Sequence, residues 1–111
     1  MASANVVEFT DANFDAEVLA SKVPVLVDFG AEWCGPCRAM LPHVEAVADA
    51  LAGKAKIGKV DIDANRGISM RFNISTIPTI LIFKDGQKVK TFVGIKKKEE
   101  LASALADFGA V

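Results

Sequence analysis

The stretch "VPVLVDFGAEWCGPCRAM", residues 23–40, changes character twice. Residues 23–31 form a near-continuous apolar run of strand length, the pattern of a central strand covered on both faces. Cys34, Gly35, Pro36 and Cys37 follow. From Met40 onward, apolar side chains recur at helical spacing through Val44, Val47, Ala48 and Leu51, and Gly53 ends that helix. A buried strand running into a helix is a building unit of α/β proteins. In their sheets, ligand and reaction sites gather where strands end and helices begin. The two cysteines sit at that kind of junction.

The rest of the chain fits the same plan. Residues 6–9 read as a short strand, and Thr10 or Asp11 can cap a helix to about residue 20, with Phe14, Val18 and Leu19 on one face. Pro42 falls inside the second helical pattern, where a missing donor kinks the helix at a cost of about 3 kcal/mol. "KIGKVDID" (56–63) alternates like a strand, and Ile68 with Phe72 marks a short helix. "IPTILIFKDGQKVKTFVG" (77–94) reads as two strands turning at Asp85-Gly86. Leu101, Ala104, Leu105 and Phe108 close the chain as an amphipathic helix. The order β-α-β-α-β-α-β-β-α predicts an α/β fold, a mixed five-stranded sheet flanked by four helices, formed by one domain spanning 1–111.

Composition narrows the function classes. The chain has 111 residues, 51% hydrophobic and 24% charged, enough for a packed core without staples. Thirteen Lys and Arg against 14 Asp and Glu leave a net charge of −1, so no nucleic-acid or anionic-membrane partner is expected. Lys96-Lys97-Lys98 runs straight into Glu99-Glu100 and reads as a solvated helix start. Residues 1–9 lack the cationic and apolar regions of a secretory signal, and no apolar run reaches the roughly 18 residues of a membrane span. The expectation is a soluble, cytoplasmic monomer. In a reducing compartment a lone cysteine pair is more often catalytic or metal-binding than structural.

Three uses of Cys34 and Cys37 compete. A zinc site needs four ligands. The chain offers one CxxC and one histidine, His43, which reads as a surface helix residue; a metal shared between two chains stays open. As a staple, a loop of about four residues gives only roughly 2 kcal/mol on the loop-entropy formula, and ring strain lowers it. The redox use fits the local physics better. Gly35 clears space for another chain, and Pro36 suits a helix's first turn. Cys34 then stands at the helix N-terminus, where free N–H groups and the dipole favour its thiolate by about 0.3–1 kcal/mol, up to about 2 when partly buried. Cys37, one turn inward, is expected to be more buried and less ionised. That division gives an exposed nucleophile and a shielded resolving thiol.

Asp28 lies inside the apolar strand, so burial should raise its pKa. The residues alone leave two readings open, a functional acid or a strand aspartate satisfied by backbone groups.

"WCGPC" (33–37) resembles the active-site string of the thioredoxin family. "VDF" (27–29), Pro42, "KVDID" (59–63), "IPT" (77–79), "FKDG" (83–86) and "VG" (93–94) match in the family's order, and the resemblance runs from about Val6 to Phe108. It implies the thioredoxin fold with an extra N-terminal strand and helix. It also implies that Cys34 attacks a substrate disulfide and that Cys37 resolves the mixed disulfide. Gly35 and Pro36 occupy the intervening pair, where proline goes with a reducing potential. Asp28 resembles the buried acid that exchanges a proton with Cys37 through water, and Lys59 the lysine that modulates it. Pro78 resembles a cis proline beside the CxxC loop, although only about 5–6% of X–Pro bonds in folded proteins are cis. That arrangement leaves the backbone of Ile77 free to pair with an extended substrate. Trp33, Ile77, Gly94 and Ile95 resemble the apolar docking rim, with core packing the competing role for Ile95.

Three positions depart from the family pattern. Gly30 replaces a larger residue, often Trp, which is expected to loosen packing under the active-site loop. Arg38 keeps the charge of the common Lys, and Phe72 stands for Tyr. The implied function is a general protein-disulfide reductase, re-reduced by a thioredoxin reductase, acting on disulfide-containing proteins and carrying no bound cofactor or metal. The competing functions are a disulfide isomerase or oxidase, disfavoured by Gly35-Pro36, and a structural binding subunit.

Overall fold

The computed structural model describes residues 3–111. Met1 and Ala2, which begin both the stretch expected to lack a signal and the single domain 1–111, lie outside the described residues. The chain forms β1 (Val6–Glu8), a short helical segment (Asp15–Leu19), β2 (Val25–Gly30), α1 (Gly35–Ala50) and β3 (Lys56–Asp61). It continues with α2 (Arg66–Arg71), β4 (Thr79–Lys84), β5 (Gln87–Val93) and α3 (Lys98–Asp107). The five strands make one sheet in the order β1-β3-β2-β4-β5. β1 and β2 run parallel to β3, while β4 is antiparallel to both β2 and β5. This is the mixed sheet with four helices that the element order predicts.

β2 is central, and residues 25–29 are all buried. Side chains alternate across a strand, so β2 serves two cores. Val25, Val27 and Phe29 face one side, with Phe9, Phe14, Val18, Ile68, Leu81 and Phe83. There the rings of Phe14, Phe72 and Phe83 lie 5.3–5.6 Å apart, and the Phe14–Phe83 and Phe72–Phe83 pairs meet edge to face. Such pairs add about 0.5–1.5 kcal/mol to area burial. Leu26 faces the other side, where Met40, Val44 and Val47 of α1 meet Leu101 and Leu105 of α3. Pro42 lies within α1, as expected.

The first helix departs from expectation. Instead of an α-helix over residues 10–20, it is a five-residue segment of wide, π-type turns. Thr10 and Asn13 bond reciprocally, Asn13 N–H to Thr10 Oγ1 at 3.2 Å and Thr10 N–H to Asn13 Oδ1 at 2.7 Å, which holds a turn before the helix starts. Asp11 caps a different helix: its carboxylate accepts the N–H groups of Gly67 (3.2 Å) and Ile68 (2.8 Å) in α2. β3 also stops at Asp61 rather than residue 63, because Asp63 N–H turns back onto Asp61 Oδ1 at 2.9 Å.

Two tight places need their residues. The β4–β5 turn puts Asp85 at φ 52° and Gly86 at φ 79°, the left-handed pair of the expected hairpin. Gly58 on β3 has the Phe9 ring and the Val7 carbonyl so close that a Cβ there would fall 2.4 and 2.6 Å from them.

Candidate functional site

The strand–helix junction forms as predicted. Cys34 is the N-cap of α1, in extended conformation (φ −90°, ψ 111°), and Pro36 lies in the first turn. Its Sγ accepts the N–H of Cys37 at 3.2 Å, so one of the helix's unpaired amides points at this sulfur. The two cysteines are joined as a disulfide, with Cα atoms 5.3 Å apart. One expectation changes here. Cys34 and Cys37 are 6% and 8% exposed, so the bonded pair has no outer and inner member by burial. Both cysteines cluster with Ala31, and Ile62 and Ile77 pack against that cluster. What separates the cysteines is their surroundings: Cys34 has the helix amide, and Cys37 has a cavity.

That cavity, about 500 Å³, is bordered by Cys37, Gly30, Asp28 and Lys59 but not by Cys34. Asp28 is 5% exposed, and its Oδ1 has no hydrogen-bond partner. Burial pushes its pKa from 3.8 up to about 7, against the opposing pull of the Lys59 charge. Lys59 is its register partner across β2 and β3. Of the two readings open from sequence, the aspartate satisfied by backbone groups is therefore not the one observed. Gly30 ends β2 on the same side. A Cβ there would lie 3.2 Å from both Cβ and Sγ of Cys37, so this position touches the cysteine itself rather than the loop in general.

None of the implied docking residues lines that cavity. Trp33 is 67% exposed, and its indole Nε1–H donates to Asp63 Oδ2 at 2.7 Å. The Ile77–Pro78 bond is cis, as the resemblance implies. Gly94 N–H donates to the Pro78 carbonyl at 2.9 Å, which brings the end of β5 beside it. Ile95 is 49% exposed, so core packing is not its role. Arg38 lies exposed beyond Cys37 and donates from Nη1 to the Glu32 carbonyl at 2.6 Å.

Sequence reasoning missed the residues that hold this arrangement. The loop after β5 is fastened to α1 twice: Lys96 N–H meets Met40 Sδ at 3.3 Å, and Lys98 N–H donates to His43 Nδ1 at 3.2 Å. His43 is thus a half-buried brace for the start of α3 rather than an idle surface residue. Asp63 was also missed. An indole N–H needs an acceptor, and the second aspartate of "KVDID" was the available signal. Among the described residues, no group of three or more His, Cys, Asp or Glu side chains could hold a metal, and no helix is long and apolar enough to cross a membrane.

Residues 5–107 match the family model described as Thioredoxin. The chain belongs to the thioredoxin family. It is 49% identical over 96 residues to thioredoxin 1 of Synechococcus elongatus, covering 86% of this chain and 90% of that one. It is 46% identical over 101 residues to thioredoxin C-2 of Corynebacterium nephridii, covering 91% and 94%. A thioredoxin of Rickettsia felis is 46% identical over 92 residues, covering 83% and 88%. Membership of this family makes the chain a protein-disulfide oxidoreductase with a redox-active disulfide, working by thiol–disulfide exchange at its cysteine pair.

Proposed function

We propose that the chain is a general reductase of protein disulfides in which Cys34 and Cys37 have unequal roles. The observation that carries this reading is the Cys37 N–H directed at Cys34 Sγ at the start of α1. It favours negative charge on Cys34 over Cys37. The Cys34 thiolate attacks a substrate disulfide. A new S–S bond forms to one substrate sulfur, and the other leaves as thiolate. Cys37 then loses its proton and attacks Cys34 Sγ. The mixed disulfide breaks, the second substrate thiolate departs, and the Cys34–Cys37 bond is restored.

Asp28 supports the second step. A carboxyl whose pKa lies at about 7 is partly ionised near neutrality and can take the Cys37 proton through the cavity they share. Lys59 keeps that carboxyl ionisable by opposing its burial. Trp33, Ile77, Pro78, Gly94 and Ile95 form the docking rim, where an extended substrate segment lies along Ile77. In support, neither the N–H nor the C=O of Ile77 is engaged in a turn or loop hydrogen bond. A thioredoxin reductase returns the disulfide to the dithiol. The protein carries no further cofactor and acts as a cytoplasmic monomer, with residues 1–111 as one domain.

The test follows reduction of insulin by dithiothreitol with the unaltered chain, Cys34→Ser and Cys37→Ser. Acceleration by the unaltered chain, none by Cys34→Ser, and mixed disulfides trapped on Cys37→Ser are expected. Trapping on Cys34→Ser instead would reverse the assignment. Partner binding that survives both substitutions would favour a structural subunit.

A further inference from the structure

Of the two bonded cysteines, Cys37 and not Cys34 borders the cavity beside Gly30. Residues 25–29 are buried, but Gly30 is partly exposed, and the space a side chain would take there abuts Cys37 Sγ. Trp33, Ile77, Pro78, Gly94 and Ile95 do not border this space. A second feature marks it as more than a gap. Asp28, 5% exposed, borders it with a carboxylate oxygen that has no partner in the protein.

Chemistry adds a preference. In thiol–disulfide exchange, attack on one sulfur expels the other, and the better-stabilised thiolate leaves faster. Cys34 is the sulfur that receives the helix amide. Attack at Cys37 is therefore favoured electronically, provided a nucleophile can reach it. A protein thiol carried on a folded surface cannot enter a cavity of about 500 Å³, whereas a two-carbon thiol can.

The geometry points to a second reaction face, at which small thiols enter through the opening left by Gly30 and attack the oxidised pair at Cys37. A thiolate RS⁻ forms a Cys37–S–S–R bond, the Cys34–Cys37 bond breaks, and Cys34 leaves as thiolate. A second RS⁻ attacks the R sulfur, giving RSSR and the Cys37 thiolate, which takes up a proton. Two thiols are oxidised to one disulfide, and the protein disulfide is reduced to the dithiol. The charges around the cavity select among thiols. Glu8, Glu32 and Asp61, joined by Asp28 once it ionises, outnumber Arg38 and Lys59, so uncharged and cationic thiols are admitted over anionic ones.

This inference rests on Cys34 being the better leaving group. Its readout is the position of an adduct, whereas that assignment is tested by substrate trapping, so the two can fail separately. The oxidised full-length chain is mixed with 2-mercaptoethanol, quenched within the first turnover by iodoacetamide, and the modified peptide is sequenced by mass spectrometry. The mercaptoethanol adduct is expected on Cys37 and the alkyl group on Cys34; the reverse placement overturns the inference. Gly30→Val, with folding checked by circular dichroism, is expected to slow this reaction by about tenfold or more, because the side chain must displace Cys37 or close the opening. An unchanged rate in the folded variant also overturns it. If Gly30→Val does not fold, the unaltered chain decides through its rates with cysteamine, 2-mercaptoethanol and 3-mercaptopropionate, each normalised to thiolate concentration. The first two are expected to exceed the third several-fold, and equal or reversed rates overturn the charge selection.

Discussion

The two faces of β2 share one backbone and have opposite contents. On one face Val25, Val27 and Phe29 are 1%, 0% and 0% exposed and pack into an aromatic core. On the other, Leu26 is equally buried, Asp28 is a buried carboxyl lacking a partner, and Gly30 leaves a space beside Cys37. Moving toward the cysteines, the second face passes from oil to acid to void. A single strand thus anchors the fold with Val25, Leu26, Val27 and Phe29 and gives up stability at Asp28 and Gly30. The loss is greatest next to the reactive sulfurs.

Substitutions at Phe29 and Asp28 should therefore act in opposite directions. Phe29→Ala removes a fully buried ring and is expected to cost about 3–5 kcal/mol in urea unfolding. A loss under about 1 kcal/mol would mean that the aromatic face is not the anchor.

Asp28→Asn is expected to stabilise. The folded protein holds the Asp28 proton up to a pKa of about 7, but the unfolded chain releases it near 3.8. Below 3.8 both states are protonated and nothing is lost. Stability falls as pH rises through the window up to about 7, then stays level. The loss at pH 8 is on the order of 4 kcal/mol. The variant's gain should accordingly be largest at pH 8 and vanish toward pH 4, which unfolding at several pH values measures. An equal gain at both ends would assign the effect to packing instead of charge.

Lys59→Gln removes the cation that opposes the burial effect, so the pH window for Asp28 should move upward. Carboxyl titration followed by NMR would register the shift, and an unmoved or lowered midpoint would count against Lys59 as the modulating charge. The smallest effect belongs to the surface. The Arg71–Asp15 pair, 2.9 Å apart with side chains 50% and 76% exposed, should contribute below about 0.5 kcal/mol in a double-mutant cycle. A larger coupling would show that α2 is held by charge as well as by the Asp11 cap.

The sheet was legible because its signals are local. Alternation in 56–61, the Asp85-Gly86 turn and the unbroken run into Gly30 each depend on neighbours in sequence. The first helix was not, because Asp11, a credible cap for its own helix, bonds instead to residues 56 and 57 positions away. The same limit hid His43 and Met40, whose partners lie 55 and 56 positions on. At the site, residue types and spacing located the cysteines and marked Asp28 as buried, and the family resemblance supplied Pro78. They could not reveal that the bonded cysteines are equally buried, since that follows from a cluster with Ala31 against which the distant Ile62 and Ile77 pack. Gly30 was legible as an oddity, and only the packing gave it a neighbour.

The two bonds from the loop after β5 to α1 have an architectural consequence. Met40 and His43 stand three and six residues past Cys37, so roughly 9 Å of one helix separates the sulfurs from the farther fastening. That helix acts as a caliper, fixing the reach between the reactive bond and Ile95 without reference to the hairpin that delivers the loop. A longer turn at Asp85-Gly86, on the far side of the β5 bulge opposite Ile82 and Phe83, leaves the gauge unchanged. The far end of the hairpin is thus free to vary in length while the spacing between the disulfide and Ile95 is kept.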